Sequence, residues 1–314
     1  MKVVVTGGAG FIGSNLGREL LARPDVDEVI ALDDLSTGDR ANLDGTSIQL
    51  LEGTILDPET LDAACAGASA IVHLAALPSV PRSVIDPVAS HHANATGTLQ
   101  VLQAARRAGG SHVVVASSSS VYGANRELPK RESMRTAPIS PYAVSKQATE
   151  AYALSFGHTY ALPVLAFRFF NVYGPLQAAG HAYAAVIPAF VDAALRGVPL
   201  TIHGDGEQTR DFTNVGTVTR VIAEAVTRTV TDLEPVNLAF GTRTSLNALV
   251  AELADILGFA PQVEHVDPRA GDVRDSQADH TRLRHHFPEV EPVPLREGLQ
   301  QTVDWFRTLP DYRR

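Results

Sequence analysis

Five short apolar runs, Lys2–Thr6, Glu28–Leu32, Ile48–Glu52, Ala70–Leu74 and His112–Ser117, punctuate the first part of the chain. They are β-branched or leucine-rich and too short for helices. A strand covered on both faces has no polar side to alternate with, so such runs read as buried parallel strands. The stretches between them, Phe11–Arg23, Pro58–Ala66 and Ala89–Ala108, place apolar residues at helical spacing. Strand and helix in strict alternation predict an α/β fold, a doubly wound parallel sheet with helices on both faces. A further helix is predicted over 141–160, because Ser140 is a natural N-cap and Pro141 suits the first helical position. Strand Val164–Phe169 follows it. The pattern then changes: helices near Val186–Arg196, Thr217–Thr227, Ser245–Leu257 and Leu295–Thr308 are separated by loops rich in Gly, Pro and Asp. We expect a larger unit of 1–168 plus about 211–241, and a smaller mixed α/β C-terminal unit of 169–210 plus 242–314.

Charge and composition remove several classes of function. With 26 basic against 35 acidic residues the net charge is −9, so the chain lacks the basic footprint of a nucleic-acid binder. No run approaches the ~20 apolar residues of a membrane span. The apolar start Met1–Val5 is too short for a signal peptide. The single cysteine, Cys65, permits no internal disulfide, which fits a reducing compartment. The expectation is a cytoplasmic protein that binds neither nucleic acid nor membrane and holds no metal.

The first strand runs into Thr6-Gly7-Gly8-Ala9-Gly10-Phe11-Ile12-Gly13, with glycine at 7, 10 and 13. Without side chains the turn can close tightly and its backbone N–H groups can approach a pyrophosphate, which the following helix N-terminus also attracts. Asp33 stands twenty residues beyond Gly13, at the end of the next strand. A carboxylate there accepts from both ribose hydroxyls and repels a 2′-phosphate, so NAD is favoured over NADP. The loop Asp33-Asp34-Leu35-Ser36-Thr37-Gly38 is suited to adenosine, and Leu74-Ala75-Ala76 leave room across the strand ends. His73, just before them, reads as a structural histidine.

Tyr142 and Lys146 are four residues apart at the start of a helix and so share a face. A phenol titrating near ~10 needs about 4 kcal/mol to serve as a base near neutrality. One cation at ~4 Å supplies about that much at an effective dielectric near 20. Lys146 is therefore sufficient to make Tyr142 an acid/base group. After the fifth strand, Ser117-Ser118-Ser119-Ser120-Val121-Tyr122-Gly123 offers a hydroxyl that can hydrogen-bond a sugar hydroxyl.

In this order the residues resemble the extended short-chain dehydrogenase/reductase family across essentially the full chain. The resemblance also rests on Arg168-Phe169-Phe170-Asn171-Val172-Tyr173-Gly174-Pro175, on the segment from His203 to Phe212, and on Pro268-Arg269-Ala270-Gly271-Asp272-Val273-Arg274. It implies a Rossmann-type fold with NAD as cofactor. Within the family the pattern is most similar to the 4-epimerases of UDP-glucose and UDP-N-acetylglucosamine. By that similarity Ser118 partners the catalytic Tyr142, and Asn171, Arg210, Arg269 and Asp272 hold the UDP part of a substrate. Two arginines suit a diphosphate. The resemblance further implies a homodimer formed through helices of the nucleotide unit.

Two comparisons with the family narrow the expectation. Dehydratase relatives carry an Asp-Glu pair after the catalytic hydroxyl residue, and related decarboxylases a Glu before Val-Tyr-Gly; here Ser119 and Ser120 stand there. A 4,6-elimination needs an extra acid/base group, so simple epimerisation is favoured. An NDP-sugar dehydratase with an unusual acid/base set is the alternative, and an NAD-binding regulatory protein the non-enzymatic one. Ser276 occupies the position at which some 4-epimerases bar N-acetylated sugars with a bulky residue, which implies that acetamido sugars fit. Many relatives have Asp after the glycine of the third strand; here Gly53 is followed by Thr54, and Ile55 is the residue expected beside the adenine.

Overall fold

The computed structural model describes residues 1–179, 184–268 and 274–312. Six strands, β1 (Lys2–Thr6), β2 (Glu28–Asp33), β3 (Gln49–Glu52), β4 (Ala70–His73), β5 (His112–Ser118) and β6 (Val164–Phe169), are joined at the edge by Val236–Leu238. The order is Val236–Leu238, β6, β5, β4, β1, β2, β3, and every pairing is parallel. The order reverses between β1 and β4, where a doubly wound sheet opens a crevice at its carboxyl edge. Register aligns that edge: Thr6 lies opposite both Leu32 and His73, and Ser118 opposite Phe169.

Helices cover both faces. On one, α1 (Phe11–Leu21) packs beside the helix Val215–Thr227 over Val3, Val5, Val72 and Phe167. On the other lie α2 (Pro58–Cys65), α3 (Val80–Ile85), α4 (Pro87–His91), α5 (Gly97–Arg107) and α6 (Pro141–Tyr160), over a core of Val4, Ile71, Val113 and Val115. Cys65 belongs to that core and is fully buried. A third core joins Val186–Arg196, Leu246–Leu257 and Leu295–Thr308 through Phe190, Leu249 and Phe306. Beside them Leu200–His203 and Val263–Val266 form a parallel pair. Among the described residues no helix is long and apolar enough to cross a membrane.

The helix predicted over 141–160 forms over those residues, capped by Ser140, which accepts from the Ala143 N–H. The stretch predicted as one helix from Ala89 to Ala108 differs. The chain turns helical earlier, at Pro87, and His92–Thr96 is wound as a π-turn between α4 and α5. Gly97 marks where Ile55 presses on the helix, since a Cβ there would sit 2.4 Å from Ile55 Cδ1. A π-turn places extra backbone at such a point without ending the helix.

Candidate active site

The glycine turn is built by close approach. Gly7 has φ +70°, and a Cβ on it would sit 2.7 Å from Ala75 N. A Cβ on Gly13 would lie 2.2 Å from Gly7 O. Gly10 occupies the N-cap of α1 and brings no side chain to it, so the amides of Phe11 and Ile12 begin the helix uncapped. That end carries the positive pole of the helix and suits an anion. Asp33 is buried behind it. Its Oδ2 accepts from Ala9 N at 2.9 Å and its Oδ1 from Leu35 N at 2.9 Å. A carboxylate accepts about four hydrogen bonds, so acceptor capacity remains. Burial raises its pKa above the ordinary value, while those amides pull it down. Gly38 closes over the carboxylate, its absent Cβ falling 2.8 Å from Asp33 Oδ1.

The other expected cofactor residues line the same edge or its rim. Asp34 and Ser36 are exposed and bonded to each other at 2.6 Å, with Leu35 half-buried and Thr37 exposed. Ile55 is buried, and Leu74, Ala75 and Ala76 follow β4, half-buried, with Ala75 N donating to Thr6 Oγ1 at 3.3 Å. His73 is satisfied on both nitrogens, by Thr6 Oγ1 at 2.8 Å and Thr98 Oγ1 at 3.0 Å. Burial first, and the Lys146 charge second, push it down to about 3, so the ring is neutral. An uncapped helix end, a cradle that any Cβ would fill and a buried carboxylate together fit a dinucleotide.

Tyr142 and Lys146 sit on the first two turns of α6. The Tyr142 N–H donates to Ser83 Oγ at 3.0 Å, and Ser83 in turn donates to Val80 O at 2.7 Å. This helix thus starts against α3, an anchor that sequence reading missed because Ser83 and Tyr142 are 59 residues apart and only a fold brings them together. Ser118, at the end of β5, hydrogen-bonds the Tyr142 phenol. Lys146 Nζ donates to Ala116 O at 2.9 Å.

The electrostatics differ from the expectation that Lys146 lowers the Tyr142 pKa. Burial dominates and raises the phenol above its ordinary value, with the Ser118 hydrogen bond acting in the opposite sense. The buried ammonium is itself pushed down to about 8. The protein alone therefore holds Tyr142 protonated at neutrality.

Lys146 also predicts a stability signature. With a native pKa of about 8 against 10.5, the native protein sheds this proton before the unfolded chain does. Stability from this group thus rises with pH through that window, and below it the buried charge is a cost. In Lys146→Met the melting temperature of cofactor-free protein should exceed that of the wild type at about pH 7. The margin should shrink towards pH 10. Thermal melts showing the same margin at both pH values would refute this.

Asn94, from the π-turn, was also missed. It donates to Ser145 Oγ at 2.9 Å and Leu77 O at 3.1 Å, and accepts from Leu77 N at 2.7 Å. It thereby ties the loop after β4 to α6.

Of the residues expected to hold UDP, Asn171 follows β6 and donates to Asp211 O at 3.2 Å. Arg210 is half-buried and donates to Thr209 O at 2.9 Å and Arg274 O at 3.0 Å. Ser276 N donates to Thr209 O at 3.1 Å, which brings Arg210 and Ser276 to one small strand cluster. Arg269 and Asp272 lie outside the described residues. Asp211, part of the His203–Phe212 segment but given no role there, is fully buried and receives Gly241 N at 3.1 Å, Ala278 N at 3.0 Å and Thr242 Oγ1 at 2.8 Å. No group of His, Cys, Asp and Glu among the described residues could hold a metal.

A parallel sheet with this glycine turn and a Tyr-Lys helix at its carboxyl edge defines a dinucleotide-dependent enzyme. Residues 3–239 match the NAD dependent epimerase/dehydratase family, and the chain belongs to that family, with NAD as its cofactor. It is 37% identical over 313 residues to the UDP-glucose 4-epimerase of Mycolicibacterium smegmatis, covering 98% of this chain and 99% of that one. Among solved structures it is similar to the UDP-N-acetylglucosamine 4-epimerase from Methanobrevibacter ruminantium in complex with UDP-N-acetylmuramic acid. The TM-score is 0.92 at 35% identity, with 98% of each chain covered. It also resembles the Thermus thermophilus UDP-glucose 4-epimerase complexed with NAD, with a TM-score of 0.88 at 36% identity over 98% of this chain and 99% of that one. A dehydratase and a decarboxylase of the family match as well, at 32% and 30% identity.

Proposed function

We propose that the protein is an NAD-dependent UDP-hexose 4-epimerase, interconverting UDP-glucose and UDP-galactose through a transient 4-keto sugar. The observation that carries this reading is the Ser118 hydroxyl at the Tyr142 phenol, with Lys146 one turn along the same helix and serines rather than carboxylates at 119 and 120. Gly7, Gly10, Phe11, Ile12 and Gly13 would hold the cofactor pyrophosphate and Asp33 its ribose. Asp34–Gly38, Ile55 and Leu74–Ala76 would line the rest of that site. When bound, NAD supplies the acceptor that takes a hydride from C4 and returns it. Tyr142 takes the proton of the C4 hydroxyl and gives it back, and Ser118 hydrogen-bonds the reacting oxygen. Lys146 would hold the nicotinamide ribose, and the positive charge that the oxidised cofactor brings would offset the burial that raises the phenol. Asn171, Arg210, Arg269 and Asp272 would anchor the UDP, so that binding energy rests on the nucleotide while the sugar is free to turn. Ser276 leaves space for an acetamido group, and UDP-GlcNAc is proposed as a second substrate.

The test is NMR and mass analysis of products from holoenzyme given UDP-glucose and UDP-GlcNAc. The expected products are UDP-galactose and UDP-GalNAc. A 4-keto-6-deoxy product would replace this reading with the dehydratase one, and no conversion of any sugar nucleotide would leave a regulatory protein. Inertness towards UDP-GlcNAc alone would remove the second substrate.

We read residues 1–168 with about 211–241 as the cofactor unit, the remainder as the sugar-nucleotide unit, and the cytoplasm as its compartment. We also infer a homodimer through α4 and α6. Ile85 at the end of α3, Val88 on α4 and Val144 on α6 are 74%, 63% and 53% exposed, beside a depression lined by Pro87, His91 and Ile139. A monomer mass in sedimentation would remove it.

A further inference from the structure

Beneath the Tyr142–Lys146 helix lies an ion pair that the reaction itself does not use. Arg168, on β6, donates from Nε to Glu150 Oε2 at 2.9 Å and from Nη2 to Oε1 at 2.6 Å. Ser117, on β5, donates to the same Oε2 at 2.8 Å. All three are buried, at 2%, 6% and 3% exposure for Ser117, Glu150 and Arg168. The guanidinium also lies 4.7 Å over the Tyr122 ring and donates to Glu132 O at 3.3 Å. All three guanidinium nitrogens and the Ser117 hydroxyl of this cluster thus have a hydrogen-bond partner.

Its place in the chain matters more than its strength. Glu150 is one turn beyond Lys146 and two beyond Tyr142 on α6, while Ser117 immediately precedes Ser118. Taking two charges out of water costs about as much as their attraction returns, so a buried pair is weak evidence for stability. What an apolar pair would lack is direction. A bidentate carboxylate shared by two strands resists sliding of α6 along β5, and sliding is the motion that separates Ser118 from Tyr142. A misplacement of about 1 Å can cost ~100-fold in rate.

We propose that Ser117, Glu150 and Arg168 are positioning residues that lock α6 against the ends of β5 and β6 and so set the contact between the Ser118 and Tyr142 hydroxyls. The proposal rests on Tyr142 as the acid/base group of the preceding section. Ser117→Ala is the informative change, because it removes one strut and leaves the ion pair intact.

The experiment compares holoenzyme of wild type, Ser117→Ala and Ser117→Thr. It measures kcat and KM for the C4 interconversion and an absorbance titration of the phenol, with Tyr142→Phe as the blank. In Ser117→Ala kcat should fall about tenfold with KM within about twofold. The phenol should ionise about half a unit higher, as the hydrogen bond favouring the phenolate weakens. Ser117→Thr, which keeps the hydroxyl, should recover most of both. Wild-type kcat and an unmoved phenol titration in Ser117→Ala would overturn the proposal whatever the melting temperature, as would a rise in KM without a fall in kcat. If wild type converts no UDP-hexose, the functional reading fails, and the phenol titration alone still decides the positioning role.

Discussion

Tyr142→Phe should lower kcat by about 10²–10⁴-fold, the range that a positioned acid/base group contributes. Binding of NAD and of the sugar nucleotide should change little, because the residues proposed to anchor their nucleotide parts are others. The fold should also be nearly indifferent. The tie of Tyr142 to Ser83 runs through its main-chain N–H, and the Ser140 cap belongs to Ala143, so phenylalanine keeps both. The side-chain hydrogen bond that disappears is with Ser118, a site residue. A single exchange thus separates catalysis from architecture. Kinetics that returned full turnover in this variant would remove Tyr142 from the mechanism.

Arg168→Met should be the most damaging single change to stability, at about 3–5 kcal/mol. It strands the Glu150 carboxylate in the interior with Ser117 as its remaining side-chain donor, and withdraws the cation stacked on Tyr122. The double variant Glu150→Leu/Arg168→Met should lie much nearer to wild type in stability, since removing both charges also removes the cost of burying either. Denaturant unfolding of the two singles and the double makes the comparison. A double variant as unstable as the sum of the singles would show that the pair is not energetically coupled.

The sequence disclosed much of the fold and the residue types at the site's centre, for a common reason. Parallel strands announce themselves as uninterrupted apolar runs, and Ser140-Pro141 announces a helix start by local chemistry alone. What stayed hidden depends on tertiary contact. Val236–Leu238 is only three residues long, with Asn237 fully buried in its middle, so no period can form. That asparagine takes the Tyr122 hydroxyl at 2.7 Å and donates to Lys130 O at 2.8 Å, partners more than a hundred residues away. The same holds for Glu150 and Asp211: a lone acid on a helix or in a loop reads as solvated until the fold buries it. The rise of the Tyr142 phenol is likewise hidden, because burial comes from the fold whereas the charge of Lys146 is visible in the sequence.

Asp211 has a consequence for how such a molecule can diverge. One carboxylate gathers the chain where it passes Gly241 and Ala278, and its own carbonyl holds Asn171. The segments around Asn171, Gly241 and Ala278 are therefore stitched together at several points along the sequence. They cannot be exchanged as a detachable module without cutting the stitches. New specificity has to arrive by replacing individual side chains around a fixed seam, which favours many closely related activities on one unchanged backbone.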